Sequence, residues 1–357
     1  MAYFFKKLKN SIPKRLLISR TDRIGDFILS LPVFEALKRE HNPHITVLCN
    51  NIVVPLLKNN PFVDEVIPAH KAMDQDSLLA KIKAGSFDAL LVLVNDPFIL
   101  DLLPELKHIP IRIGPLSKPS ALFQYTHPVI QKRSKSIKNE AEYNLELLKV
   151  FNFPVNNRIK PRLYLSEKET QAFLSKHKSL YASIGKEIKW IALHPGMNDS
   201  ALNMEAEFYA DLLSGLLNQD FLVWLTGAGK KEFQGNQHLI KGSSISEKPK
   251  VINSAGMFDL RELAILLSRC KAYIGPSTGP THLANAVGTP LVSFYPPIKV
   301  QSARRWEPFL SKGKIYSPDV ACKQKFRCKG EKCKFYYCMD TIKANDVLEK
   351  VVSIVKS

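Results

Sequence analysis

Short β-prone apolar runs alternate along this chain with stretches in which apolar positions recur every third or fourth residue. That rhythm predicts strands and amphipathic helices in turn. In the first half the runs fall at residues 16–19, 45–49, 65–68, 89–94 and 112–114, and the helical spacing at 27–39, 75–83, 98–107 and 139–151. In the second half strands are predicted at 190–194, 221–226, 251–252, 272–274 and 291–294, and helices at 206–217, 230–240, 260–268 and 281–287. Ser166-Glu167-Lys168-Glu169 has the form of a capping box and opens a further helix. Strands separated by helices argue for an α/β class with parallel sheets covered on both faces. The two series are separated by a polar stretch that contains Pro154 and Pro161. A chain of 357 residues is comfortable as two domains. The expected division is 1–155, a linker at 156–161, a second domain at 162–342 and a terminal helix in 343–357.

Two of the predicted strand-to-helix turns carry candidate chemistry. Ala272-Tyr273-Ile274 runs into Gly275-Pro276, then into Ser277-Thr278-Gly279-Pro280-Thr281-His282 and an apolar helix. Ser277, Thr278 and Thr281 are N-cap residue types. Gly279 lets a ligand come close to the backbone. Such a helix N-terminus suits a phosphate, although an ordinary strand-to-helix turn has the same composition. Near the other end, Arg20-Thr21-Asp22-Arg23-Ile24-Gly25-Asp26 also follows a predicted strand. Asp26, at the mouth of that strand, is a candidate general base. The plainer alternative is a carboxylate that stabilises the start of the next helix. Asp22 reads as the ion-pair partner of Arg20 or Arg23, not as the base.

Charge narrows the partners. Lysine and arginine number 51 against 33 aspartate and glutamate, a formal net charge of +18. Such a field attracts polyanions. No signature of a nucleic-acid-binding module is present, so the expected partners are phosphorylated ligands and an anionic membrane surface, without nucleic acid. Residues 3–17 mix Lys6, Lys7, Lys9, Lys14 and Arg15 with Phe4, Phe5, Leu8 and Ile12, which suits either an interfacial segment or a basic terminus. Tyr3-Phe4-Phe5 is too short for a signal-peptide core. No run approaches the roughly 18 apolar residues that a membrane span requires. Six cysteines do not make a disulfide scaffold. Cys49 and Cys270 read as buried small hydrophobes. Cys322, Cys328, Cys333 and Cys338 fall close together among lysines, which suits either a structural zinc or iron ion or reduced thiols.

Taken in order, Arg20-x-Asp22-Arg23-Ile24-Gly25-Asp26 and Ser277-Thr278-Gly279-Pro280-x-His282-Leu283 resemble the paired motifs of glycosyltransferase family 9, which holds the bacterial lipopolysaccharide heptosyltransferases. The resemblance extends over almost the whole chain. It implies the GT-B fold, two Rossmann-like domains with parallel sheets facing across a cleft. The acceptor would bind the first domain and the nucleotide sugar the second, and the terminal helix would cross back to the first. It implies an inverting, metal-independent transfer of heptose from ADP-heptose to the lipopolysaccharide inner core, an anionic acceptor of lipid A/Kdo type. No cofactor is required. The enzyme would be cytoplasmic and peripheral on the cytoplasmic face of the inner membrane.

By the same resemblance Asp26 is the base. His194, Gly196, Asn198 and Ser200 form a donor loop, joined by Gly227, Lys230 and Glu232 and by Ser277, Thr278, Gly279, Pro280 and His282. Arg23, Arg112, Lys132 and Arg133 are the candidate acceptor contacts, within a basic cluster that also holds Lys118, Lys135 and Lys138. Two departures stand out. Ser277 replaces an Asp that many relatives carry, and Leu202-Asn203-Met204 lacks the usual basic residue and Trp. Either Lys230 or Lys231 supplies the missing charge, or donor binding is altered. Two rivals follow: a transferase of the same fold with another nucleotide sugar or a protein acceptor, and an inactive nucleotide-binding protein at the membrane.

Overall fold

The computed structural model describes residues 13–70, 73–116, 123–153, 158–182, 188–196, 201–243 and 250–356. The chain divides into two compact units, Met1–Tyr164 and Leu165–Ser357. The division falls just beyond the expected linker at 156–161, of which residues 156 and 157 lie outside the described residues.

The first unit carries β1 (Arg15–Arg20), α1 (Ile24–Ile28), α2 (Leu31–His41), β2 (His44–Asn50), β3 (Glu65–Ala69), α3 (Gln75–Ala84), β4 (Ala89–Val92), α4 (Pro97–Leu102), β5 (Ile111–Pro115), β6 (His127–Val129) and α5 (Glu140–Glu146). Among the described residues its strands form one sheet in the order β3-β2-β1-β4-β5-β6, with every neighbouring pair parallel. β1 lies near the middle, with Leu17 opposite both Thr46 and Leu90. Helices cover both faces, so Leu16, Leu17 and Ile18 are all buried and the strand reads as an unbroken apolar run. Leu17, Leu48, Leu90 and Val92 meet Leu78 and Ile82 of α3 and Ile99 and Leu102 of α4 in one core.

Two predicted helices are interrupted, each at a proline. The segment 27–39 is split between α1 and α2, because Pro32 in the first turn of α2 has no N–H to continue the ladder. The Ser30 hydroxyl donates to the Phe27 carbonyl at the break, 2.6 Å away. The segment 98–107 begins as α4 and tightens into a 3₁₀ turn at Leu103–Leu106, which contains Pro104.

The second unit carries α6 (Glu167–Lys176), β7 (Trp190–Leu193), α7 (Ala206–Asn218), β8 (Leu222–Leu225), α8 (Gly229–Gly242), β9 (Val251–Asn253), α9 (Leu260–Arg269), β10 (Ala272–Pro276), α10 (Gly279–Ala286), β11 (Leu291–Phe294), α11 (Ala303–Trp306), β12 (Gly313–Tyr316) and α12 (Ala344–Lys356). The Ser166–Glu169 capping box forms as expected. Among the described residues the sheet order is β12-β11-β10-β7-β8-β9, again parallel throughout. Numbered from the first strand of each unit, both sheets have the Rossmann order 3-2-1-4-5-6. Ligands of such sheets bind beyond the carboxyl ends of the two central strands, where the strand order reverses. In the first unit those strands are β1 and β4, and in the second β7 and β10.

Within the second unit α12 packs on α7. Val347, Val351 and Val355, four residues apart on one face, join the second unit's core. Gly215 of α7 admits this approach, since any Cβ there would collide with the Leu348 side chain. No helix among the described residues is long and apolar enough to cross a membrane.

Candidate active site

The first motif sits where β1 ends. Arg20 is the last residue of β1, and the turn through Asp22 and Arg23 leads into α1, whose first turn holds Asp26. The Arg20 side chain has no solvent exposure. Its Nε donates to Asp22 Oδ1 at 2.7 Å and its Nη2 to Asp22 Oδ2 at 2.9 Å, a two-pronged pair. The Nη2 also donates to Asp26 Oδ1 at 3.0 Å. Nη1 donates to Asn144 Oδ1 at 3.0 Å and lies 3.4 Å from Glu140 Oε1, both on α5. Asp22 is therefore committed to Arg20, as its spacing suggested.

Asp26 differs from Asp22 in having one charge-assisted contact instead of two, with its side chain 15% exposed. Burial and the charges of Asp22 and Glu140 push its carboxyl up to about 7, against the pull of Arg20 and Arg23. A carboxylate with that value, at the carboxyl end of a central strand, can take up a proton at neutral pH. Across the switch point the Thr21 hydroxyl donates to Asp96, the N-cap of α4.

The residues expected to meet the acceptor separate into two groups. Arg23 and Lys132 are exposed. Arg112 and Arg133 are not available in that way. Arg112 donates from Nε to the Gln124 carbonyl at 2.9 Å and from Nη1 to the Ile109 carbonyl at 2.7 Å, tying down its own strand edge. Arg133 donates from Nη1 to Glu140 at 2.6 Å and from Nη2 to the Leu93 carbonyl at 2.8 Å. Both guanidinium groups are spent on protein acceptors. Lys118 lies outside the described residues.

The second motif lies at the ends of β7 and β10 in the other unit. Ser277, Thr278, Gly279 and Pro280 are partly exposed around the start of α10, while Thr281 and His282 are buried below them. Thr278 occupies the N-cap position but its side chain does not cap the helix. Thr281 is not a cap either. Its hydroxyl donates to the Pro276 carbonyl and meets the Tyr273 hydroxyl at 3.0 Å. Among the described residues no side chain caps α10; Pro280 has no N–H and the Thr281 N–H donates to the Thr278 carbonyl at 3.2 Å, so the Gly279 N–H and the helix dipole are what this start offers an anion. His282 Nδ1 is buried with no partner among the described residues. Burial pulls the His282 imidazole down to about 4, so it is neutral at neutral pH. His194 follows β7, is equally neutral through burial, and its Nδ1 meets the Thr226 hydroxyl at 2.9 Å.

Beside the end of β7, on the side away from β10, lies the β8–α8 turn. Glu232 Oε2 accepts from the Ala228 N–H at 2.5 Å. The Glu232 carboxylate also fills the space a side chain at residue 196 would need, which only glycine leaves open. Gly227 flanks the same carboxylate, and Lys230 and Lys231 are exposed. A cavity of about 620 Å³ opens here, lined by Pro195, Gly196, Met204, Tyr209, Lys231 and Glu232 among others. Where a basic residue was expected the chain has the apolar Leu202, followed by Asn203. The Asn203 Nδ2 donates to the Pro195 carbonyl at 2.9 Å and its Oδ1 accepts from the Tyr209 hydroxyl at 2.8 Å, so it braces the loop. Asn198 and Ser200 lie outside the described residues.

The cysteine segment reads in the sequence as either a metal staple or reduced thiols. Burial, then the nearby Cys328, Cys322 and Cys333 thiols, raises the Cys338 pKa, so the four sulfurs are electrostatic neighbours. Yet among the described residues no three His, Cys, Asp or Glu side chains are disposed to hold a metal ion. All six cysteines carry free thiols.

Sequence reasoning missed Glu140 and Asn144. The signal was the Asn139-x-x-Glu142 capping box, which starts α5 and sets Glu140 and Asn144 one turn apart on the same face.

Comparison with known proteins follows the same lines. Residues 76–334 match the family model described as glycosyltransferase family 9 (heptosyltransferase). A Haemophilus influenzae protein named "Putative glycosyltransferase" is 32% identical over 317 residues, which is 83% of this chain and 86% of that protein. Lipopolysaccharide heptosyltransferase 2 of Salmonella typhimurium is 26% identical over 79% of this chain and 83% of its own. The solved structure of Escherichia coli ADP-heptose lipopolysaccharide heptosyltransferase II superposes with a TM-score of 0.77 at 22% identity, covering 96% of this chain and 98% of that one.

Proposed function

Because the chain belongs to glycosyltransferase family 9, the heptosyltransferase family, we propose that it transfers heptose from ADP-heptose to the inner core of lipopolysaccharide, with inversion and without a metal ion. The observation that carries this reading is Asp26, poised near neutrality at the carboxyl end of β1. The acceptor hydroxyl gives its proton to the Asp26 carboxylate as its oxygen bonds to the anomeric carbon. The bond from that carbon to the diphosphate breaks, and ADP leaves with the electron pair. The start of α10, neutral His282 and the lysines at the head of α8 stabilise the charge that gathers on the departing diphosphate. Gly196, Gly227 and Glu232 shape the same donor loop, and the names of the heptosyltransferase relatives support ADP-heptose as donor. Arg23 and Lys132 remain the exposed candidates for the anionic acceptor.

In this reading the enzyme works at the cytoplasmic face of the inner membrane. The charge of +18 supports that, as do Phe326 and Tyr337, which stand exposed among Lys323, Lys325, Lys329 and Lys334.

A second reading keeps the chemistry and changes the sugar. The apolar Leu202, where the resemblance implies a basic residue facing the diphosphate, favours it. A panel of ADP-, UDP- and GDP-sugars, offered with a lipid A–Kdo acceptor and a chelator, separates the two. The account expects turnover with ADP-heptose and none of comparable rate with the others. Preference for a UDP- or GDP-sugar supports the second reading, and dependence on added Mg²⁺ or Mn²⁺ contradicts the metal-free chemistry.

A further inference from the structure

The groups around Asp26 form a chain that runs away from the reacting side. Asp26 is bound by Arg20, Arg20 by Glu140 and Asn144, and Glu140 by Arg133. The links are closed to solvent: the Arg20 side chain is 0% exposed and that of Glu140 1%. Asn144 is fixed from both sides, since its Nδ2 donates to the Leu29 carbonyl just beyond α1 at 3.2 Å. Arg133 is anchored in turn on the Leu93 carbonyl after β4. α5 therefore grips the turn that presents Asp26.

Resting on the reading of Asp26 as base, we infer that Glu140 and Arg133 are positioning residues for it, acting through Arg20 to hold the Asp26 carboxylate in one orientation and to supply the charge balance that makes it basic. The balance can be counted. Among the described residues the contacts of this network join three carboxylates, Asp22, Asp26 and Glu140, to two guanidinium groups, Arg20 and Arg133. Arg23 faces Asp26 from the exposed side of the turn, and Asp96 faces Asp22 from the end of β4. Glu140 lies between the guanidinium groups of Arg20 and Arg133. The surplus negative charge then falls on the carboxylate with a single guanidinium hydrogen bond, Asp26, where taking up a proton relieves it. Neutralising Glu140 leaves two carboxylates facing two guanidinium groups, and Asp26 becomes a weaker base. Neutralising Arg133 does the reverse.

The test is the pH profile of kcat/KM for sugar transfer by the full-length enzyme and its variants. Glu140→Gln should move the acidic limb down by roughly half a unit to one unit, and Arg133→Gln should move it up. Arg133→Lys keeps the charge and should leave the limb near its wild-type position. Loss of structure alone lowers the whole profile and produces no opposite shifts. If Glu140→Gln does not fold, the two Arg133 variants decide. Limbs that stay fixed, or that shift in the same direction, overturn the inference while leaving the base assignment intact. Asp26→Asn, measured in parallel, examines that assignment separately: near-normal turnover there removes the base, and the positioning role with it.

Discussion

At the scale of single residues, one turn holds two aspartates with opposite fates. Asp22 takes both prongs of Arg20, and Asp26 takes one contact while sitting mostly buried. The consequence is a proton held up to about 7 where an ordinary aspartate releases it near 3.8. Between those values the folded chain binds a proton that the unfolded chain has lost. Stability from this group is therefore fully present at low pH and declines as pH rises from 3.8 to about 7. Wild type should lose stability relative to Asp26→Asn across that window, and the gap should stay level above it. Thermal unfolding of both proteins over a pH series checks this, and parallel curves would contradict it. Asp26 and the Asp22–Arg20 pair were legible in the sequence because a single turn contains them. Glu140 was not, because it lies 120 residues from Arg20 and only the fold joins them. Arg112 and Arg133 were read as surface groups because an arginine spent on carbonyls looks, in sequence, like one offered to a ligand.

At the scale of elements, hydrophobic spacing located the interior strands closely. The edge strands β6 and β12 escaped it. His127-Pro128-Val129 and Gly313-Lys314-Ile315-Tyr316 each face a neighbour on one side only and carry few apolar residues. The longer helices were found, but the two segments that meet proline were read as unbroken, and the one-turn α11 was missed. α12 was found, but its packing on α7 was not, since an apolar face fits many partners and periodicity alone does not choose. Its seat depends on Gly215. Gly215→Val should push Leu348 and α12 outward and cost about 1–3 kcal/mol by denaturant unfolding. An unchanged unfolding midpoint would mean that α12 tolerates the displacement.

At the scale of the molecule, the same strand order appears twice, and each copy bears its motif beyond the two central strands. That duplication was visible as two strand–helix series, and the two motifs lie at the carboxyl ends of β1 and β10. The net charge of +18 acts on the same scale. Binding to vesicles containing anionic lipid should weaken steeply between low salt and about 0.15 M ionic strength, where the screening length falls to about 8 Å. Binding that ignores salt, or is absent without it, assigns the basic surface to another partner.

The central claim is that Asp26 takes the acceptor's proton. It is tested most directly by the rate of heptose transfer from ADP-heptose by Asp26→Asn, with ADP affinity measured on the same preparation. The substitution keeps the shape of the side chain and removes its proton acceptor. The account predicts a fall in turnover of about 100-fold or more with ADP affinity nearly unchanged. Turnover within a few-fold of wild type would contradict it.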